Sequence, residues 1–134
     1  MFRSRTSPTI LVVDDEEGVT QMFTRVLQRE GYEVYTALSA ETGLQAVEDH
    51  RPDAILLDLR MPLVDGLEFL RRLRAHDTRT PVAVVTGDYS FNIEAVTREL
   101  QTLDATLIFK PVGRSDLIAL ARRLTTSSGE KSGV

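Results

Sequence analysis

Four short apolar runs in the 134-residue chain each end in a residue suited to phosphate or metal chemistry. Ile10-Leu11-Val12-Val13 leads into Asp14-Asp15, and Ala54-Ile55-Leu56-Leu57 into Asp58. Val82-Ala83-Val84-Val85 leads into Thr86, and Leu107-Ile108-Phe109 into Lys110-Pro111. Continuous apolar runs of this length are the pattern of strands buried on both faces of a parallel sheet. In an open α/β sheet the ligand lies beyond the carboxyl ends of the strands. Three carboxylates, a hydroxyl and an ammonium, distant in sequence, are therefore expected along one sheet edge. Such a set suits Mg²⁺ and a phosphoryl group.

Strand and helix patterns alternate five times. The strands are expected at about residues 9–13, 33–36, 53–57, 82–85 and 106–109. Helices are expected at about 17–30, 40–50, 66–76, 91–103 and 115–125. In the first helix Val19, Met22, Phe23, Val26 and Leu27 recur at helical spacing and form its inward face. Gly31 is placed to terminate it, and Ser39 to cap the second helix. Inward faces follow for Ala40, Leu44 and Val47; for Leu67, Leu70 and Leu73; for Ile93, Val96, Leu100 and Leu103; and for Leu117, Leu120, Ala121 and Leu124. Asp65-Gly66 reads as a turn before the third helix. Alternation of this kind implies an α/β fold with a parallel sheet covered by helices on both sides. Residues 1–8 read as a short tail, 9–125 as one domain, and 126–134, polar and without periodicity, as a disordered tail or the start of a linker.

The net charge of −4 gives no support for nucleic-acid binding through bulk charge. No cysteine is present, so there is no disulfide, thiolate metal site or cysteine nucleophile. No apolar stretch approaches the ~18 residues of a membrane span, and no apolar segment follows the charged N-terminus as in a signal peptide. A cytoplasmic location is expected. Of the 16 basic residues, 14 are Arg, and Lys110 is the lysine of the 9–125 stretch. Keeping Lys at that one strand end points to a compact point charge, which Arg's planar fork does not supply.

Taken singly, each site residue has an ordinary structural reading. Asp14, Asp15, Glu16 and Glu17 would complement the dipole of the first helix. Asp58 would cap or turn, and Thr86 and Lys110 would simply end strands. Held together, the same residues have a chemistry. Adjacent carboxylates at a strand end suit Mg²⁺, which takes a few oxygen ligands and retains water. Asp58 beside them would raise proton affinity unless a cation compensated. An ionised Asp58 is a competent oxygen nucleophile toward phosphorus. Thr86 can donate to a phosphoryl oxygen, with Gly87 allowing close backbone approach, and Lys110 can neutralise the transferred charge.

The ordered set Asp14-Asp15, Asp58, Met61-Pro62, Asp65-Gly66, Thr86-Gly87 and Lys110-Pro111 resembles the receiver domain of two-component response regulators, over about residues 8–125. The resemblance implies a doubly wound, flavodoxin-like (βα)₅ sheet in strand order 2-1-3-4-5. It implies that Asp58 is the phosphoacceptor for a histidine kinase or histidine phosphotransfer protein. It further implies Mg²⁺ held by Asp15, Asp58 and the Arg60 carbonyl, with Asp14 acting through water. Thr86 and Lys110 would hold the phosphoryl oxygens, and the Lys110–Pro111 peptide would be cis. A downstream protein target or output domain would read the switch at the face made by the fourth helix, fifth strand and fifth helix. A phosphorylation-dependent homodimer is compatible with it. The domain itself would contact neither nucleic acid nor membrane, and would not be an enzyme beyond its own phosphorylation and dephosphorylation.

Two positions depart from the family pattern. The aromatic usual three residues before the strand-five Lys is Leu107, with Phe109 on the same face by the two-residue period. The common Gly-Ala before that strand is Asp104-Ala105. The loop Gly87–Phe91, with Tyr89 and Phe91, is expected to carry the readout instead, and Arg60 and Asp88 to pair across the mouth of the site. The alternatives are a phosphorylation-independent adaptor on the same fold and an Asp-nucleophile phosphatase of the haloacid-dehalogenase type. The second fits poorly, because its nucleophile follows the first strand in an Asp-x-Asp pattern. His50 and His76, near helix C-termini, favour the helix dipoles.

Overall fold

The computed structural model describes residues 7–58, 63–87 and 92–133; for residues 58, 63–65, 93 and 127–133 it describes the backbone. The strands are β1 (Thr9–Val13), β2 (Glu33–Ala37), β3 (Ala54–Asp58), β4 (Val82–Thr86) and β5 (Ala105–Phe109). The helices are α1 (Glu17–Arg29), α2 (Ala40–His50), α3 (Leu63–Arg74), α4 (Ile93–Thr102) and α5 (Arg114–Gly133). All four strand pairings are parallel, and the order is β2-β1-β3-β4-β5. This is the doubly wound α/β fold that the apolar runs call for.

Alternate residues of each central strand feed two separate cores, as the pleat requires. Leu11, Val13, Ile55, Leu57, Val82 and Val84 pack with Phe69, Leu70 and Leu73 of α3 and Val96 and Leu100 of α4. Ile10, Val12, Ala54, Leu56 and Ala83 pack with Phe23 and Leu27 of α1 and Leu117, Leu120, Ala121 and Leu124 of α5. So α1 and α5 cover one face, and α2, α3 and α4 the other.

The signals at the helix ends act as their chemistry dictates. After α1, the Gly31 N–H reaches Gln28 O at 3.0 Å and the Tyr32 N–H reaches Leu27 O at 3.2 Å. That is the Schellman pair, and Gly31 takes the left-handed φ of 95° that it needs. At the start of α2, Ser39 and Thr42 form a reciprocal capping box.

Several expectations are corrected. Met22 is 45% exposed, and Thr20 takes the buried place on α1; its hydroxyl is satisfied by Glu17 O at 2.8 Å, which makes a polar residue tolerable there. Helix α3 starts at Leu63, so Asp65-Gly66 lies inside its first turn rather than before it. Phe69 of α3, outside the predicted inward face, is fully buried. The strand predicted from Asp53 starts at Ala54; Asp53 instead ties β1 to β3, its carboxylate accepting from the Thr9 N–H at 2.8 Å. Residues 126–133, expected to be a loose tail, continue α5. No proline interrupts that stretch, and extending a formed helix is far easier than nucleating one.

Candidate functional site

The register explains how the site is assembled. Val13 of β1 lies beside Leu57 of β3, so Asp14 and Asp58 leave neighbouring strands at the same level. Asp58 is paired with Val85 of β4, one residue before Thr86. Thr86 is paired with Phe109 of β5, one residue before Lys110. Adjacent strands are roughly 4.8 Å apart, so four strand ends bring Asp14, Asp58, Thr86 and Lys110 into one row. The strand order reverses between β1 and β3. That topological switch point is where a doubly wound sheet opens a crevice.

Local hydrogen bonds hold the row in place. The Asp14 N–H donates to Ala37 O at 3.0 Å, which ties the β1 end to β2. Asp14 Oδ1 accepts from the Glu16 N–H at 3.0 Å, which fixes the carboxylate across the first residues before α1. Asp14 and Thr86 are both 0% exposed, whereas Asp15 faces solvent and Lys110 is half-buried. The Lys110 N–H donates to Thr86 O at 2.8 Å, so hydroxyl and ammonium residues are joined through the backbone. A methyl group on Gly87 would stand 3.5 Å from Lys110 Cδ, in ordinary van der Waals contact with the lysine stem. The Lys110–Pro111 peptide is cis, as the resemblance implied.

Ala37 is the contribution that inspection of the sequence missed. Its carbonyl acts across strands, and no side-chain pattern announces such a bond. The Asp58 backbone lies in the row. Arg60, Met61, Pro62, Asp88, Tyr89, Ser90 and Phe91 fall outside the described residues, as do the Asp58 and Asp65 side chains. Among the described residues no group of three or more His, Cys, Asp or Glu is gathered as a metal site; the carboxylate of Asp58, the third acid expected, is not in that set.

Comparison with known proteins decides the family. The model of the response regulator receiver domain matches residues 10–122. The chain is a response regulator receiver domain. It is 36% identical over 124 residues to the transcriptional regulatory protein PrrA of Mycobacterium tuberculosis, covering 92% of this chain and 52% of that protein. It is 34% identical over 114 residues to the regulatory protein AtoC of Escherichia coli K12, covering 85% of this chain and 24% of that one. The receiver domain thus spans about half, or less, of the length of these relatives. Among solved structures, the chemotaxis protein CheY4 of Vibrio cholerae superposes with a TM-score of 0.79 at 30% identity, over 89% of this chain and 99% of that one. A CheY-like receiver domain protein from Methanospirillum hungatei gives 0.84 at 26% identity, over 94% and 99%. Such a receiver domain is a signalling module, and among its described residues no helix is long and apolar enough to cross a membrane.

Proposed function

We propose that this receiver domain accepts a phosphoryl group on Asp58 from a histidine kinase or histidine phosphotransfer protein. The observation that carries the reading is the shared row of strand ends, Asp14, Asp58, Thr86 and Lys110. In the step itself, an Asp58 carboxylate oxygen bonds to phosphorus as the P–N bond of a phosphohistidine breaks, and the imidazole leaves with its electron pair. The Thr86 hydroxyl donates to a phosphoryl oxygen. The Lys110 ammonium compensates the charge on the others, from a half-buried position where it acts more strongly than in open water. The acyl phosphate is later hydrolysed by water.

The donor set fits Mg²⁺. Asp14, Asp15 and Asp58 offer hard oxygens on adjacent strand ends, with no competing soft ligand in a chain lacking cysteine. Asp15, Asp58 and the Arg60 carbonyl would hold the ion, with Asp14 beside them. When bound, Mg²⁺ neutralises charge on the transferring oxygens.

Phosphorylation then shifts a two-state equilibrium that a downstream target or an output domain senses. A cytoplasmic setting is the one in which such a donor is met. Intact mass after exposure to acetyl phosphate tests the reading. One phosphoryl adduct is expected with Mg²⁺, and none in EDTA or in Asp58→Asn. Equal incorporation in Asp58→Asn would refute the assignment of the acceptor. No incorporation at all would favour an adaptor that uses the fold without phosphorylation.

A further inference from the structure

Helices α3 and α4 cover the same side of the sheet, and two arginines one turn apart on α3 join them. Arg71 Nε donates to Glu99 Oε2 of α4 at 2.6 Å, and its Nη2 lies 2.6 Å from the same oxygen. One turn on, Arg74 spreads its planar fork over three carbonyls. Nε reaches Leu103 O at 2.7 Å, Nη2 reaches Asp104 O at 3.0 Å, and Nη1 reaches Asp77 O at 3.1 Å. Leu103 is the C-cap of α4. Its carbonyl and that of Asp104 stand at the negative end of the helix dipole, where a cation is favoured. Asp104 itself is in the left-handed region, with φ of 55°, and its N–H bonds to Gln101 O at 3.0 Å. The helix end is thus closed by its own backbone and capped from outside by Arg74.

The other end of α4 is built differently. Asn92 caps it through its own side chain, accepting from the Ala95 N–H at 3.1 Å, a bond that stays within the helix. Glu94 and Ala95 are exposed, while Val96 and Leu100 are buried. Among the described residues, side-chain hydrogen bonds between α4 with its closing turn and other elements are confined to Glu99, Leu103 and Asp104. Among the described residues, the fastening of α4 to α3 lies at its C-terminal end.

We propose that Arg71 and Arg74 pin the C-terminal end of α4 to α3, making it the fixed pivot about which the N-terminal half of α4 moves on activation. This rests on Asp58 being the phosphoacceptor. The consequence is directional: a displacement starting beyond Thr86, at the head of α4, is not carried into the α4–β5 turn. Lysine cannot replace Arg74, since a single ammonium cannot span carbonyls from two elements.

Amide exchange on the unphosphorylated chain tests the pin without any activation. In Arg74→Gln the Leu103 and Asp104 amides are expected to exchange about tenfold faster, in keeping with loss of charge-assisted hydrogen bonds. Buried α1 amides such as Leu27 should be unchanged, and Arg74→Lys should recover only part of the protection. An equal acceleration everywhere, or none at Leu103 and Asp104, overturns the pin. Chemical shifts with beryllofluoride and Mg²⁺ then test the pivot. Glu94–Val96 should shift more than Leu103 and Asp104 in the unaltered chain, and the changes should spread to Leu103 and Asp104 in Arg71→Gln/Arg74→Gln. Equal shifts at both ends of α4 in the unaltered chain overturn the pivot. Unmoved signals around Asp58 and Thr86 would refute the phosphoacceptor reading instead, and the exchange result would still decide the pin.

Discussion

Gly43 on α2 shows how tightly a single residue can be specified. A Cβ there would stand 3.0 Å from Phe69 Cε1 and 3.2 and 3.3 Å from the Val13 methyls. Alanine is the better helix former by about 1 kcal/mol, but overpacking a closed core costs about 1–3 kcal/mol. Gly43→Ala should therefore lower stability by about 0–2 kcal/mol in a denaturant titration. The same change in a Phe69→Leu background should be neutral or stabilising; an undiminished penalty there would show that the ring is not the obstacle. Asp77 is specified by charge. Burial opposes its ionisation, but the Thr80 hydroxyl, the Arg79 and Thr80 amides and the nearby Arg74 outweigh that, and its carboxyl stays below the usual range. A depressed carboxyl stabilises the fold above its unfolded value, and the contribution fades as the pH falls through the folded one. Asp77→Asn should cost roughly 1 kcal/mol near neutrality, since the site is partly solvent-screened. The gap to the unaltered protein should close in acid; a gap that widened below pH 4 would contradict the sign.

At the scale of elements, caps and ties decide where helices begin and end. The Ser39 hydroxyl accepts from the Thr42 N–H at 3.2 Å, and the Thr42 hydroxyl in turn accepts from the Ser39 N–H, also at 3.2 Å. Ser39→Ala should cost about 1 kcal/mol, seen as a lower unfolding midpoint. The Asp14 N–H is bonded to the carbonyl of Ala37, two residues before that cap, so loss of Mg²⁺ affinity in Ser39→Ala would show that α2 also steadies the site. In β5, Leu107 packs half-buried against the core shared with α4. An aromatic swing at that position has no counterpart here. Ile108, between Leu107 and Phe109, packs against the core shared with α5, and Phe109 is half-buried.

For the molecule as a whole, the proposed function implies that the row of acids at the switch point would couple folding to cation binding. Carboxylates crowded on adjacent strand ends repel one another unless a cation compensates, and a ligand bound by the native state alone raises stability by mass action. Mg²⁺ should therefore raise the melting temperature. Asp15→Asn should abolish that rise while leaving the metal-free protein no less stable, because Asp15 faces solvent. A marked loss of metal-free stability in Asp15→Asn would mean that its carboxylate makes a structural bond and that repulsion is not what matters there.

The chain's four apolar runs, read with their polar ends, were enough to specify four of the five parallel strands and which residues would stand at their carboxyl edge, and the alternation with helices supplied the short β2. That much is legible because a doubly covered strand must be apolar throughout, and a ligand must meet the sheet where the strands end. Helical spacing located Phe23, Leu27, Leu70, Leu100 and Leu120 in the core for the same reason. Other features needed the tertiary structure. Thr20 could replace Met22 on the buried side of α1 because a carbonyl one turn back satisfied its hydroxyl. Leu63 could open α3 ahead of a turn-like Asp65-Gly66 because packing outweighs a weak local preference for a turn. The alignment of Asp14 with Asp58, the Ala37 carbonyl behind Asp14, and the reach of Arg74 to Leu103 and Asp104 all join residues far apart in the chain. Local spacing carries no information about such bonds; they exist only once the register of the sheet and the seating of α3 against α4 have brought donor and acceptor within 3 Å or so.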